Sequence, residues 1–230
     1  MMAVEGVPAE ALAHPSATII LLRDSKNGPQ VLLVQRNEAL RHMGGMWVFP
    51  GGRVEPEDEV GDALANARQA AVRETREEAG LNIAPEHLLY FSHWTTPGSM
   101  RKRFSTWFFI AVLDGDQGVQ IDGSEIVNYR WLSPVQALRE VLDDKSALQL
   151  MPPTFVSLQQ LTHYDSCQSV VMALEAAVPV IFAPRVVAVK GGHCFLYEGD
   201  AGFNDGDCER DGPRHRTYMT DERMEYLCTC

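Results

Sequence analysis

Glu74, Glu77 and Glu78 fall within the run Arg73-Glu74-Thr75-Arg76-Glu77-Glu78-Ala79-Gly80-Leu81. On a helix they stand at i, i+3 and i+4, where side chains are neighbours on one face. Carboxylates that close repel one another, and a hard cation with oxygen ligands, most simply Mg2+, relieves the repulsion. Mg2+ held this way polarises a phosphoryl oxygen and lowers the pKa of a bound water, so that hydroxide attacks phosphorus near neutral pH. The competing reading is a solvated helix face, the usual fate of a charge run.

What separates the two readings is the set of elements around the glutamates. Residues 46–49 read as a short apolar strand, Pro50-Gly51-Gly52 as a turn, and Asp62 as the N-cap of a helix that runs through an Ala-rich stretch to Gly80. Val72, Thr75 and Ala79 lie on another arc of that helix, which is then free to pack on a sheet while the glutamates face a cleft. Glycine at 51 and 52 lets backbone approach a ligand, and a carbonyl at Gly51 is a candidate to complete the metal shell. Residues 17–22 and 31–35 are apolar runs joined across Asp24-Ser25-Lys26-Asn27-Gly28-Pro29, an antiparallel pair. Residues 88–94, 106–113 and 126–132 supply further strands, and Ser133-Pro134 caps a helix through about Val141. Pro152-Pro153-Thr154 opens one later helical pattern (Phe155, Leu158, Leu161), and Asp165-Ser166 opens a second (Val170, Val171, Leu174). Strand-like segments follow at 185–189, 194–197 and 216–219, with a loop at 198–212.

The acidic segment resembles the Nudix box, GX5EX7REUXEEXGU with U aliphatic, the signature of hydrolases acting on a nucleoside diphosphate linked to another moiety. Its second half matches from Arg73 to Leu81, with Thr75 at an aliphatic position. In the first half seven extra residues intervene: counted forward from Gly52 the first glutamate position holds Asp58, and counted back from Arg73 it holds Ala65. Asp58, Glu59 or no residue fills that role, and the extra residues, close to two helical turns, either extend the helix or lengthen the loop. The resemblance implies an α/β fold, the Nudix α/β/α sandwich with a mixed β-sheet, over about residues 15–145. An N-terminal tail (1–14) would precede it and a C-terminal extension (146–230) of helices and short strands would follow. The resemblance also makes Glu77 and Glu78 metal ligands and Glu74 a ligand or the catalytic base, and Arg73 would orient a glutamate through charge-assisted hydrogen bonds. Many members take the base from a later loop, where Glu125 is the candidate; its alternative is a solvated turn residue. Mg2+ is the implied cofactor, with Mn2+ as a substitute.

Residues 32–52, LLVQRNEALRHMGGMWVFPGG, resemble the accessory motif LLTXRSX3RX3GX3FPGG of Nudix coenzyme A diphosphatases, with its spacing kept throughout. Arg36, Arg41, Gly45 and Phe49-Pro50-Gly51-Gly52 match, while Val34 and Asn37 replace threonine and serine. Coenzyme A carries a 3'-phosphate besides its diphosphate, and arginine forks suit phosphate. Arg36, Arg41 and Gly45 are therefore the implied substrate-binding residues. Thr95-Thr96-Pro97 and residues 103–109 add likeness to the peroxisomal-type branch and its bacterial relatives. Arg101, Lys102 and Arg103 are either phosphate contacts or a charged strand end. Alternative substrates are ADP-ribose, dinucleotides and nucleoside triphosphates. A function of another class is a nucleotide sensor that binds without cleaving; such a domain is expected to lose box carboxylates, and this chain keeps all three.

A formal net charge of −11 argues against a nucleic-acid-binding surface, which needs basic patches to neutralise phosphates. The opening MMAVEGVPAEALAHPSA has neither the basic start nor the apolar stretch of a signal peptide, and no run approaches the ~18 apolar residues of a membrane span. The expectation is a cytoplasmic protein with a small nucleotide-derived substrate and neither a membrane nor a nucleic-acid partner. Cys167, Cys194, Cys208, Cys228 and Cys230 all lie in the last third and are expected as reduced thiols. The last four, with His193 and His215, form an alternative zinc set whose spacing matches no recognised finger. The apolar helices after residue 150 either cover the sheet or supply a homodimer face.

Overall fold

The run Ile19-Ile20-Leu21-Leu22 has no polar alternation, and all four side chains are fully buried, as a strand covered on both faces requires. It lies in β1 (His14–Ser25) of an eight-stranded mixed sheet in the computed structural model, which describes residues 12–113, 115, 117–142 and 148–229. Residues 1–11 of the expected N-terminal tail, the expected boundary at 145–146 and Cys230 lie outside the described residues. The chain continues through β2 (Gly28–Arg36), β3 (Trp47–Val48), β4 (Gly51–Arg53), α1 (Ala63–Ala79), β5 (Leu89–Thr95), β6 (Phe104–Val112), β7 (Ile126–Leu132) and α2 (Pro134–Val141). Then come α3 (Pro152–Leu161), α4 (Cys167–Ala176), β8 (Val180–Phe182), β9 (Arg185–Val189), β10 (Gly192–Leu196), β11 (His215–Thr220) and β12 (Met224–Cys228). The first sheet runs β3-β2-β1-β6-β5-β8, with β4 added to β1 and β7 to β2. β1 and β2 make the expected antiparallel hairpin, whereas β1 and β6 run parallel from the His14–Phe104 pair to the Leu22–Val112 pair.

Ile19 and Leu21 share one core with Ala67, Ala70, Ala71 and Ala79 of α1. Ile20 and Leu22 share the other with Ala137 of α2, Phe155 and Leu158 of α3 and Val170 of α4. Helices thus cover both faces of the sheet, which is the expected α/β/α sandwich. Alanines on α1 let its backbone lie close to β1. Asp62 caps the helix by accepting the Ala65 N–H at 2.8 Å, and Gly80 closes it in the left-handed conformation. Thr75, at the box's aliphatic position, is fully buried and its hydroxyl has no hydrogen-bond partner among the described residues.

β4, β8 and β12 add to the strands expected from the sequence. β4 is Gly-Gly-Arg with no apolar residue, β8 has only three residues, and β12 carries Glu225 among its apolar ones. Residues beyond α2 build onto the first sheet: β8 runs parallel to β5, and Phe182 stacks on Trp94 with centroids 3.9 Å apart and rings 8° from parallel. The second sheet, β12-β11-β10-β9, is antiparallel, and its Phe195, with Tyr197 just beyond β10, joins the same core.

Arg216 of β11 and Asp200 of the 198–212 loop form an ion pair with side chains 1% and 0% exposed, bonded at 2.7 Å (Nε to Oδ2) and 2.6 Å (Nη2 to Oδ1). Asp200 also accepts the N–H groups of Gly202 and His215, so it pins the loop to the sheet. His215 packs against Tyr197 and Phe182 in the core, whereas Cys194 pairs across the ladder with Tyr218, three residues on from His215 along β11. Strand alternation puts those two members of the zinc set on opposite faces. The four described cysteines are free, and among the described residues no three His, Cys, Asp or Glu side chains gather as a metal cage. Among them, too, no helix is long and apolar enough to cross a membrane.

Two stability outcomes follow from these buried groups. Thr75→Val keeps the shape and removes an unpaired hydroxyl, so unfolding free energy should rise by about 1 kcal/mol; a fall on chemical denaturation would show that the hydroxyl is paired after all. Asp200→Ala strands the Arg216 charge and should cost about 3–5 kcal/mol, most of it regained on adding Arg216→Met. A single-variant loss well below that range would mean that water reaches the guanidinium.

Candidate active site

The turn between β3 and β4 carries backbone against the last two turns of α1. Thr18 Oγ1 and the Ile19 N–H bond Pro50 O at 3.1 and 2.9 Å, which fixes the turn on β1. The Gly51 N–H then donates to Glu78 Oε2 at 2.9 Å. At Gly52 a β-carbon would stand 2.3 Å from Glu74 Oε1, so a side chain there would displace that carboxylate.

Arg73 joins the helix to the segment before it. Its Nε and Nη2 donate to Asp58 Oδ1 and Oδ2, each at 3.0 Å, a two-pronged bond. Nη1 donates to Glu74 Oε1 and Glu77 Oε2, and Nη2 also to Arg53 O, all at 3.0 Å. Asp58 is buried and accepts the Glu55 N–H as well. Of the residues open for the first glutamate position, Asp58 is therefore the one tied to Arg73, and Glu59 is exposed. The Asp58 bonds, outweighing burial and aided by Glu74, raise the Arg73 pKa further. Only residues 59–62 separate the 3-10 turn Pro56–Asp58 from α1. That gap is too short to hold seven extra residues, so part of the insertion lengthens the helix.

The three glutamates do not share one environment, although the helical spacing treats them alike. Glu77 is exposed and Glu74 half-buried, but Glu78 is buried on the same arc as Ala71, Thr75 and Ala79. Position 78 lies about two turns on from 71 and one from 75, so it points at the sheet with them. Burial pushes the Glu78 carboxyl up to about 8; the Gly51 N–H opposes the shift and Glu74 adds to it. Burial also raises Glu74, against the pull of Arg73.

Arg36 brings the end of β2 into this cluster. Its Nη2 lies 2.6 Å from Glu125 Oε1 and its Nη1 3.9 Å from Glu78 Oε1. Glu125 sits in a turn held by Asp122, whose carboxylate accepts the N–H groups of Glu125 and Ile126 at 2.8 Å. Burial acts upward on Asp122, but these bonds and those from Ser124 outweigh it and hold the carboxyl at about 2. Asp122 was not among the expected site residues; the Asp-Gly-Ser signature of an Asx turn is the signal for it. Asn37 locks the same turn from the other side, its N–H on Glu125 O and its Nδ2 on Ser124 O. Gly45 (φ 79°) closes the loop after β2 by donating to Arg36 O at 3.0 Å. Arg41, in that loop, is exposed and has no side-chain hydrogen bond or ion pair among the described residues.

Arg36, Gly51, Arg73, Glu74, Glu77, Glu78 and Glu125 thus converge, with Arg41 and Gly45 on the adjoining loop. One oxygen of each box glutamate is left over: Glu74 Oε2, Glu77 Oε1 and Glu78 Oε1 accept no hydrogen bond among the described residues. Hard carboxylate oxygens, two of them on buried or half-buried groups with upshifted pKa, fit a hard divalent cation. The side chains do not already form a cage, because Arg73 draws Glu74 and Glu77 toward itself.

A NUDIX domain model matches residues 12–151. The chain belongs to the Nudix family. The Caenorhabditis elegans protein named nudix hydrolase 7 is 27% identical over 192 residues, 66% of this chain and 63% of its own length. The human acyl-coenzyme A diphosphatase NUDT19 is 32% identical over 122 residues, 51% of this chain but 32% of its own. The Nudix chain described here therefore spans less than two thirds of either relative. The crystal structure of a NUDIX hydrolase from Alicyclobacillus acidocaldarius superposes with a TM-score of 0.64 at 21% identity, covering 72% of this chain and 98% of that one, a likeness of fold.

Glu78 supplies a test of the cation fit that needs no turnover. Its folded pKa is raised, so its contribution to stability is whole below the unfolded glutamate range and is lost as pH rises through about 8. In chelator the melting temperature should fall between about pH 5 and 8, and saturating Mg2+ should restore more of it at the upper end. Glu78→Gln should flatten the slope. An unchanged slope in that variant would remove Glu78 as its source.

Proposed function

We propose that this Nudix domain hydrolyses the diphosphate of a nucleoside-diphosphate-linked substrate, and that the substrate is coenzyme A or acyl-coenzyme A, yielding 3',5'-ADP and (acyl-)phosphopantetheine. The observation that carries the reading is Arg36. This arginine of the accessory motif stands between Glu78 and Glu125, 3.9 and 2.6 Å away, so the motif and the carboxylate cluster meet at one point. The likeness to human acyl-coenzyme A diphosphatase NUDT19 supports the same substrate.

Glu74, Glu77 and Glu78, with Gly51 beside them, would hold Mg2+ or Mn2+, which supplies charge neutralisation and an acidified water. Arg36 is a fork able to turn from Glu125 to a phosphate. Glu125, freed by that turn, is exposed and available to take a proton from water; Glu74, half-buried with a raised pKa, is the other candidate base. Water oxygen bonds one phosphorus, the bridging oxygen leaves with the other, and the protons pass to base and solvent. Arg41, a cation five residues from Arg36 with no side-chain partner among the described residues, is suited to the 3'-phosphate.

Incubation with coenzyme A, acyl-coenzyme A, dephospho-coenzyme A, ADP-ribose, NADH and nucleoside triphosphates under Mg2+ or Mn2+, with products identified by mass, tests the proposal. Coenzyme A should be preferred over its dephospho form. Arg41→Ala should lose that preference and about tenfold to hundredfold in kcat/KM, chiefly through KM. Cleavage confined to ADP-ribose or nucleoside triphosphates would sink the coenzyme A reading and leave diphosphate hydrolysis. No cleavage of any of them would favour a binding role.

A further inference from the structure

Two loops far apart in sequence meet beside Arg36. The His42 ring lies against Phe104, with centroids 5.3 Å apart and planes 37° from parallel, and Lys102 Nζ is 5.2 Å from the Phe104 ring centre. His14 lies near the same ring, with centroids 6.2 Å apart. Arg36 Nε donates to His42 O at 3.4 Å while its other nitrogens reach Glu125 and Glu78. One guanidinium therefore spans from the carboxylates to this aromatic corner. His42 and Lys102 are exposed, and Phe104 is half-buried.

Nothing in the fold requires an exposed histidine to rest on a phenylalanine at the mouth of a carboxylate cluster, or a lysine to lie over the same ring. In a chain of net charge −11, cations gathered at the rim of an acidic site point to an anionic ligand. The aromatic faces between them point to a planar one. Together they describe a nucleobase whose sugar bears phosphate, because stacking serves the base and the ammonium serves the phosphate. His42 suits a stacking role rather than a purely ionic one: its contact with the fold, then Lys102 and Arg36, lower its pKa, which favours the neutral ring.

We propose that His42 and Phe104 form the surface on which the adenine of the substrate stacks, with Lys102 placed to share with Arg41 the 3'-phosphate on its ribose. The proposal deepens the coenzyme A reading and rests on it. It also gives Lys102 a use that a charged strand end does not.

Calorimetric binding of 3',5'-ADP and 5'-AMP to the full chain, which needs no turnover, tests it. Stacking on an aromatic side chain corresponds to about a fivefold to hundredfold change in affinity, so Phe104→Leu and His42→Ala should weaken both nucleotides by roughly tenfold, while Phe104→Tyr and His42→Tyr retain most of the affinity. Lys102→Met should weaken 3',5'-ADP and leave 5'-AMP unchanged. Recovery with tyrosine distinguishes a stacking role from loss of fold, which thermal melts check separately. Wild-type binding that no variant weakens would overturn the subsite and leave the coenzyme A reading standing. Absence of wild-type binding would overturn the subsite too, and coenzyme A turnover in the substrate panel then decides whether the substrate reading falls with it.

Discussion

The Arg73 guanidinium donates to Asp58, Glu74, Glu77 and the Arg53 carbonyl at 3.0 Å each, and the site's geometry depends on that one group. Asp58 belongs to the turn before α1, Arg53 to β4, and the glutamates to the end of α1. Apolar contacts alone do not set their register, because β4 is Gly-Gly-Arg and the turn is acidic. A charged fork with several donors can, since each bond fixes direction as well as distance. The same cation makes it tolerable to crowd four carboxylates, Glu57 included, against one helix end.

Arg73 does not neutralise everything. Glu78 turns away from it to Gly51 and lies buried, with Arg36 at 3.9 Å as its nearest cation. Arg36 also holds Glu125 at 2.6 Å, so one guanidinium serves two carboxylates from opposite sides of the cluster. Burial raises the pKa of both Glu74 and Glu78, and the nearby cations do not offset it. A protein gains nothing in stability from burying a carboxylate in that state. In the proposed reading the arrangement is a place kept for a cation, and Arg36 is a side chain that changes partner when phosphate arrives.

How much of this is legible in the chain varies with the range of the interaction. α1 is legible because what starts, lines and stops it is local: Asp62, the alanines and Gly80. The hairpin of β1 and β2 is legible because two apolar runs flank a turn-rich segment, and the convergence of Glu74, Glu77 and Glu78 follows from helical spacing. Spacing alone does not say which of the three points at the sheet; that depends on where β1 lies, and it buries Glu78. Asp58 and Glu59 are equivalent neighbours in sequence, and only the fold of the 3-10 turn selects the first. The pairing of Arg36 with Glu125 spans 89 positions, and the meeting of His42 with Phe104 depends on β1 and β6 running parallel. β4 escapes notice for a simpler reason: a strand of two glycines and an arginine carries no apolar pattern.

The C-terminal third bears on the site through the core beneath it. Trp47 and Phe49, which flank the turn that presents Gly51, pack in one cluster with Leu148, Leu150, Phe155, Phe182 and Tyr197, and the Trp47 N–H donates to Gln149 O at 2.9 Å. The strand leading into the glycine turn is therefore held from behind by residues that follow α2. Phe182 and Tyr197 close the far side of that cluster around Trp94, stacked and edge-on respectively. The Asp200–Arg216 pair lies beyond it, fastening the loop that covers the outer face of the second sheet. A rigid wall behind β3 matters because the carboxylates in front repel one another, and a turn free to recede would let Glu78 escape to water instead of staying bonded to Gly51.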